Sequence, residues 1–81
     1  MKTIRKEVLG EELRKERAIR HLSQETIGKA VGVGKTTISA YERGVISPPL
    51  DRLEALCDYF GLELIDFLKR CQDICRQQEE T

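Results

Sequence analysis

Long hydrophobic runs are absent from this 81-residue sequence. No segment approaches the roughly 18 consecutive apolar residues that a membrane-spanning helix needs. The N-terminus is charged, and it lacks the apolar stretch and small-residue cleavage site of a secretory signal. We therefore expect no membrane association and a cytoplasmic location. Residues 1–81 are expected to form a single domain, because a core of this size already struggles to bury enough apolar surface to fold alone.

The cysteines lack the spacing of a disulfide framework. Cysteine occurs three times, at Cys57, Cys71 and Cys75, which is an odd count, so we expect reduced thiols. Cys71 and Cys75 would share one face of a helix, which leaves a metal or redox pair open. Four soft ligands are not in evidence, so small buried hydrophobic residues are the better-supported interpretation. We expect no cofactor and no metal.

Strand patterns are nearly absent, whereas apolar residues recur at spacings of three and four throughout. The sequence predicts an all-α fold of five helices at about 7–20, 24–31, 35–42, 50–60 and 64–78. The residues expected to face the core are Leu9, Leu13, Ile19, Ile27, Ala30, Ile38, Tyr41, Leu50, Leu53, Leu56, Cys57, Phe60, Leu64, Phe67, Leu68, Cys71, Ile74 and Cys75.

The second and third helices have the clearest boundary signals. Ser23 is a good N-cap, because its hydroxyl can accept from a free backbone N–H of the next helix. Gly32 directly follows the second helix, where glycine commonly adopts the left-handed conformation that closes a helix. The chain is then expected to change direction sharply before the third helix. Gly44 and Gly61 are expected to end the third and fourth helices.

The sequence has no net charge, with 14 Lys and Arg against 14 Asp and Glu, which at first argues against a nucleic-acid partner. The average hides an asymmetry. Residues 1–43 contain ten Lys and Arg and six Glu, a balance of +4, whereas residues 44–81 contain four Lys and Arg and eight Asp and Glu, a balance of −4. Such a chain can present a basic face to phosphate and keep its acidic end outward.

Signatures of catalysis are missing. Gly34, Lys35 and Thr36 look like the end of a phosphate-binding loop, but Lys29 occupies the position of the required earlier glycine, and no strand precedes it. The only histidine, His21, lacks any arrangement of nucleophile and carboxylate that the sequence supports. We therefore expect that the protein is not an enzyme, and no small-molecule site is evident.

Two short helices joined by a glycine turn are the sequence form of a helix-turn-helix. Residues 22–44, LSQETIGKAVGVGKTTISAYERG, resemble the helix-turn-helix of the phage repressor and Cro family, also called the xenobiotic-response-element family. The resemblance extends from Leu9-Gly10 through Leu13-Arg14 and Arg17 to the helix after Pro48, so it covers nearly the whole chain. It implies a five-helix, lambda-repressor-like DNA-binding domain with the helix-turn-helix at about 24–42.

The resemblance implies a transcriptional regulator of repressor type that places the third helix in the major groove of double-stranded DNA. First-turn amides of the second helix and Gln24 can bind a phosphate, and Arg43 is a natural phosphate anchor. The candidate base-contacting residues are Lys35, Thr36, Thr37 and Ser39. For Thr37, a role only in capping the third helix is an equal alternative. For Lys35 and Arg43, the alternative is that they are plain solvated charges. The resemblance also implies that Arg17 pairs with Glu42, orients the recognition helix and lies close to the phosphates.

Three positions depart from the family pattern. Gly34 replaces the usual serine cap of the third helix and is a weaker cap. His21 replaces a common glycine after the first helix and would be strained at positive φ. Ala40 stands where relatives often have a long polar or cationic residue, so it can only touch a thymine methyl or leave the base unread. Base selectivity would then be modest, or would depend on Lys35 and on DNA shape.

One such domain makes few base contacts, so a homodimer on two half-sites is expected. The C-terminal helix is the candidate dimer contact, because its apolar stripe continues to Cys75; the alternative is that this helix packs back on helices one and four. A different class of function also remains open. Zero net charge and Ala40 are compatible with an antitoxin or adaptor that uses the same fold to bind a protein.

Overall fold

The computed structural model describes residues 3–79, and their regular secondary structure consists of five helices. These are α1 (Lys6–Ile19), α2 (Gln24–Val31), α3 (Lys35–Glu42), α4 (Leu50–Phe60) and α5 (Leu64–Glu79). The all-α prediction is confirmed, and α2, α3 and α4 have the predicted bounds. Helix α1 begins and ends one residue earlier than predicted, and α5 ends one residue later. None of the helices in this part of the chain is long and apolar enough to cross a membrane.

Each helix packs mainly against two others. Helix α3 lies on α1 and α2, α4 lies on α2 and α5, and α5 returns to α1. The five helices therefore form a closed circuit around one core. The buried apolar residues are Val8, Leu9, Leu13, Ile27, Val31, Ile38, Tyr41, Leu53, Leu56, Cys57, Phe60, Phe67, Cys71 and Cys75. Helix α1 supports α3 and helix α4 supports α2. The other side of the α2–α3 pair remains at the surface.

Three residues predicted to lie in the core are exposed. Leu50 and Ile19 are each 68% exposed, and Ala30 is exposed as well. Leu50 is the first residue of α4, and a helical side chain leans toward the N-terminus, so it points beyond the end of the helix. Ile19 is the last residue of α1, past the turns that pack against the core. Ala30 lies beside the stripe that α2 buries.

A cluster of charged residues joins α1 to α5 and to the end of α4. Glu12 and Glu16 are buried on α1. Arg70 Nη2 lies 2.9 Å from Glu16 Oε2, and Arg70 Nε lies 3.4 Å from Glu12 Oε1, without the alignment of hydrogen bonds. Arg20 donates to Glu16 Oε1 at 2.7 Å and to the Phe60 carbonyl at 2.7 Å. The acidic face of α1 is therefore neutralised inside the fold.

Contacts with the two arginines lower the pKa of Glu16. Burial by itself raises the pKa of this carboxyl, but the hydrogen bond from Arg20 and the contact with Arg70 together outweigh it and hold the pKa below its ordinary value of 4.5. The carboxylate therefore stays ionised at neutral pH, and the two positive charges around it stay compensated.

The three cysteines are free thiols in the core. Cys57 is 1% exposed, and Cys71 and Cys75 are fully buried. Burial raises the pKa of Cys57 to about 11 and that of Cys71 to about 12. The interpretation of these residues as small buried hydrophobic groups is confirmed. In residues 3–79, no group of three or more His, Cys, Asp or Glu side chains is arranged to hold a metal ion.

The apolar stripe of α5 packs inward. Cys71 and Cys75 face the core between α1 and α4, and the backbone N–H of Arg5 approaches Cys75 Sγ at 3.5 Å. The C-terminal helix therefore packs back on α1 and α4, which was the alternative to a dimer contact. The stripe at Cys75 does not support a dimer contact there, because the same chain covers it.

Candidate nucleic-acid interface

Helix α2 begins as its sequence predicts. Ser23 adopts an extended N-cap conformation, and its Oγ accepts from the backbone N–H of Thr26 at 3.0 Å. Glu25 lies in the first turn, where a negative charge complements the positive end of the helix dipole. The prediction of Ser23 as N-cap is confirmed.

The turn between α2 and α3 is closed by Gly32 in the left-handed conformation, at φ 80°. A side chain is disfavoured at this φ, so glycine is the residue that the turn requires. The N–H groups of Gly32 and Val33 both point to the carbonyl oxygen of Gly28, which satisfies a carbonyl that the helix leaves open. The predicted sharp change of direction is therefore present, and only three residues separate the end of α2 from the start of α3.

Helix α3 turns one face to the core and the other to solvent. Ile38 is 2% exposed and Tyr41 is 4% exposed, so both inward predictions are confirmed. Lys35 and Thr36 are exposed in the first turn. The remaining predicted contact residues on α3, Thr37 and Ser39, are half-buried, as is Ala40. The structure thus brings the candidate base-contacting residues together on one helix, with the most accessible ones at its N-terminal end.

Two features distinguish the two ends of this helix. Gly34 caps α3 without a side-chain hydrogen bond, as expected from the replacement of serine. At the other end, Arg43 Nε donates to Ser39 Oγ at 3.1 Å. Arg43 is exposed, and this contact directs its guanidinium along the outer face of the helix. None of the ion pairs found in residues 3–79 involves Lys35 or Arg43, so both charges lack an acidic partner within the described part of the chain.

The predicted ion pair between α1 and α3 is present. Arg17 Nε lies 2.6 Å from Glu42 Oε2, and Arg17 Nη2 lies 2.9 Å from Glu42 Oε1, so the pair is bidentate. Arg17 Nη1 also donates to the Leu22 carbonyl at 2.8 Å. The hydrogen bond with Glu42 raises the pKa of Arg17. All three guanidinium nitrogens of Arg17 are therefore hydrogen-bonded within the protein. They join the end of α1 to the segment before α2 and to the end of α3.

Gln24 joins the same network. Its Nε2 donates to Glu42 Oε1 at 3.0 Å, so Glu42 accepts from two residues at once. A side-chain amide has two N–H groups, and this contact uses one. The carboxylate of Glu42 thus ties the first residue of α2 to the last residue of α3, a contact that sequence reasoning did not predict.

Two further contacts position the helix pair and also escaped prediction. A Cβ placed on Gly10 of α1 would lie 2.1 Å from the carbonyl oxygen of Tyr41, so α1 approaches the end of α3 backbone to backbone. Arg52 of α4 donates from Nη1 to the carbonyl of Val31, the last residue of α2. The family resemblance includes Gly10, so it weakly indicated that this position matters. Nothing in the sequence pattern points from Arg52 to a residue 21 positions away.

His21 lies between α1 and α2 at φ 55°. This is the positive φ expected from the family pattern, adopted here by a residue with a Cβ, which costs some strain. Its N–H donates to the Ala18 carbonyl at 3.0 Å, and the next N–H, of Leu22, reaches the Arg17 carbonyl at 3.3 Å. The N–H groups that follow α1 therefore donate to carbonyl oxygens of its own last turn.

Known proteins share this arrangement. The family model described as "Helix-turn-helix" matches residues 13–67. The cryptic phage CTXphi transcriptional repressor RstR of Vibrio cholerae is 38% identical over 52 residues, which are 64% of this chain and 47% of RstR. The chain therefore spans about half the length of that curated relative.

Two solved structures have the same architecture. The P22 c2 repressor, solved in complex with synthetic operator 9T, superimposes with a TM-score of 0.68 at 30% identity and covers 73% of this chain and 89% of its own. The clp gene regulator ClgR of Corynebacterium glutamicum superimposes with a TM-score of 0.81 at 24% identity and covers 99% of this chain and 88% of its own. The five-helix, lambda-repressor-like prediction of the fold is confirmed.

Proposed function

Because the chain belongs to the helix-turn-helix family, we propose that it is a transcriptional regulator of repressor type that binds specific sequences of double-stranded DNA. The observation that carries this proposal is the placement of α3. Its Ile38 and Tyr41 are fixed in the core, while Lys35 and Thr36 stand exposed in its first turn. A recognition helix needs this combination, because the base edges are read by residues at its N-terminal end.

Lys35 is the principal base-contacting residue in this proposal. Its ammonium group can donate to O6 or N7 of guanine in the major groove. Thr36 contributes a hydroxyl beside it, and Thr37 and Ser39 serve bases or nearby phosphates. Ala40 offers only a methyl group, which suits a thymine methyl. We therefore propose a short, guanine-containing recognition element with modest selectivity at the position facing Ala40.

The phosphate contacts come from both sides of α3. The free N–H groups at the start of α2 and the second amide N–H of Gln24 bind one phosphate. Arg43 binds another from the end of α3. Arg17 acts mainly through Glu42 and Gln24, because its own nitrogens are engaged within the fold. Its role is to hold Gln24 at the phosphate and α3 in the groove.

A functional operator would hold two copies, on half-sites about one helical turn, roughly 34 Å, apart. We propose that the copies meet through the outer face of α5, since its inner face is covered. Ile65 is 77% exposed there, in a shallow depression that it shares with Ile4 and Leu68. Replacing Ile65 with lysine should then keep the protein monomeric by analytical ultracentrifugation while its helical content stays unchanged. A DNA-bound regulator of this kind works in the cytoplasm, where its cysteines stay reduced.

A fluorescence titration with random duplex DNA tests the proposal. We expect micromolar or tighter binding at low salt that weakens steeply as salt rises, because cations on the duplex are released. Binding that is absent or independent of salt contradicts DNA binding and favours the antitoxin or adaptor alternative, which zero net charge and Ala40 motivate.

Two substitutions separate the proposed roles. Lys35→Ala should change the ranking of duplex sequences, with a loss of about 1–3 kcal/mol at the base that it contacts. Arg43→Ala should weaken all duplexes alike and reduce the salt slope by about 1. Lys15→Ala is the matched control, because Lys15 is an exposed cation on α1 that pairs with Glu12, away from α2, α3 and the Ile65 depression. If Lys35→Ala and Arg43→Ala both behave like Lys15→Ala, the assignment of the site is wrong.

A further inference from the structure

Helices α2 and α4 end in the same way. Each is followed by a left-handed glycine, Gly32 at φ 80° and Gly61 at φ 75°. In each case an arginine from elsewhere in the fold donates to the carbonyl oxygen of the last helical residue. Arg52 Nη1 from α4 reaches Val31, and Nη2 of Arg20, the residue after α1, reaches Phe60 at 2.7 Å. Only the first of these contacts lies at the turn between α2 and α3.

The contact of Arg52 satisfies a specific need of that turn. The last carbonyls of a helix have no partner within the helix, and a cation near them is favoured by the helix dipole. Arg52 Nη1 lies so close that a Cβ on Gly32 would approach it to 3.1 Å. None of the ion pairs in residues 3–79 includes Arg52. The guanidinium is therefore directed by the end of α2 and by no carboxylate in the described chain.

We propose that Arg52 is a positioning residue for DNA recognition. By holding the carbonyl of Val31 from α4, it fixes the direction in which the chain leaves α2, and only three residues separate Val31 from the start of α3 at Lys35. Arg52 is half-buried and acts without touching DNA. The proposal depends on the proposed function, since it assigns to Arg52 the orientation of the helix that reads the bases.

Three variants test this role. Arg52→Met keeps the aliphatic stem and removes the donor, and Arg52→Lys keeps a positive donor at the same place. Arg20→Met is the control, because it removes the equivalent contact at the end of α4, away from the recognition helix. It also removes the ion pair with Glu16, so it shows whether destabilisation alone changes the ratio of operator to random affinity. Each variant is titrated with an operator selected from random duplexes by the parent protein, and with random duplex, over a range of salt concentrations.

Arg52→Met should weaken operator binding by roughly 2- to 30-fold, the range found for residues that couple to a site without contacting its ligand. Binding to random duplex should fall less, and the salt slope should stay at its parent value. Arg52→Lys should recover part of the loss, and it also tests the role if Arg52→Met fails to fold. Arg20→Met should keep the parent ratio of operator to random affinity.

A drop in the salt slope of Arg52→Met by about 0.9, the value of one phosphate contact, would show that Arg52 binds DNA directly and would overturn the proposal. An unchanged affinity ratio in Arg52→Met would overturn it too.

Amide hydrogen exchange without DNA separates this proposal from the proposed function. The N–H groups of Gly32 and Val33 both donate to Gly28 at the turn. Arg52→Met should accelerate their exchange beyond that of the α1 core amides, and Arg20→Met should not. Equal protection in Arg52→Met and parent would refute the positioning role, whether or not the parent binds DNA. Absence of duplex binding by the parent refutes the proposed function and, with it, a role in recognition.

Discussion

Replacing Gly10 with alanine should displace the recognition helix from inside the protein. Gly10 lies on α1, where α1 crosses the end of α3. An added Cβ would lie 2.1 Å from the carbonyl oxygen of Tyr41 and 2.8 Å from that of Glu42. Both atoms belong to backbone, so neither can swing aside as a side chain would. The two helices must instead separate, by roughly 1.3 Å, to regain ordinary van der Waals contact.

The expected cost follows from two opposing terms. Inserting a methyl group into a packed interior commonly costs about 1–3 kcal/mol, and a rigid backbone contact places this site at the upper end. Alanine in a helix gains about 1 kcal/mol over glycine. The net destabilisation is therefore about 2 kcal/mol, which lowers the melting temperature of a domain of this size by roughly 8–16 °C. Separation of α1 and α3 would also stretch the pair between Arg17 and Glu42, so DNA affinity should fall as well.

Urea unfolding followed by far-ultraviolet circular dichroism measures this effect. Gly34→Ser is the control, because it adds a side chain where nothing lies within 4 Å and supplies the missing cap of α3. It should raise stability by a few tenths of a kcal/mol. If Gly10→Ala unfolds at the same urea concentration as the parent or at a higher one, the close approach of α1 to α3 does not exist as described.

Three further predictions concern the ionisable groups and thiols. Glu42→Gln should cost about 2 kcal/mol by urea unfolding, because it leaves the half-buried guanidinium of Arg17 without its counter-charge; parent stability in this variant would show that the pair contributes only geometry. Since the pKa of Glu16 is lowered in the folded state, its contribution to stability is complete above pH 4.5 and disappears as pH falls through the folded value; Glu16→Gln should flatten this part of the stability profile, and an unchanged acid limb would contradict it. Cys57 and Cys71, with pKa values raised to about 11 and about 12, should react with a disulfide reagent only as fast as the fold opens; immediate reaction of these thiols in native buffer would contradict their burial.

The parts of the structure that local signals determine were predictable from the sequence. Ser23 caps α2, Gly32 closes it, and the bounds of α2, α3 and α4 follow. These features depend on hydrogen bonds between residues a few positions apart, so the pattern of residue types is enough to find them. The inward placement of Ile38 and Tyr41 was predictable for the same reason, since helical periodicity sets it.

The parts that depend on how helices meet were not predictable in this way. Leu50 continues the periodicity of α4 but lies at its first residue, where no neighbouring helix covers it. Arg52 finds its acceptor 21 residues away, and its role exists only because α4 crosses the end of α2. Periodicity found the apolar stripe to Cys75 but not what covers it, and here α1 and α4 of the same chain cover Cys71 and Cys75. Dimerisation through α5 stays a prediction for its outer face. The pairing of Arg17 with Glu42 was predictable only through the family resemblance.

Nuclear magnetic resonance of the labelled protein with a selected duplex can show whether the first turn of α3 contacts DNA. We predict that the largest amide shift changes occur at Lys35, Thr36 and Ser39 and in the first turn of α2, with contacts from these side chains to base protons. Shift changes confined to the outer face of α5, with α3 unaffected by the duplex, would rule out this placement of α3.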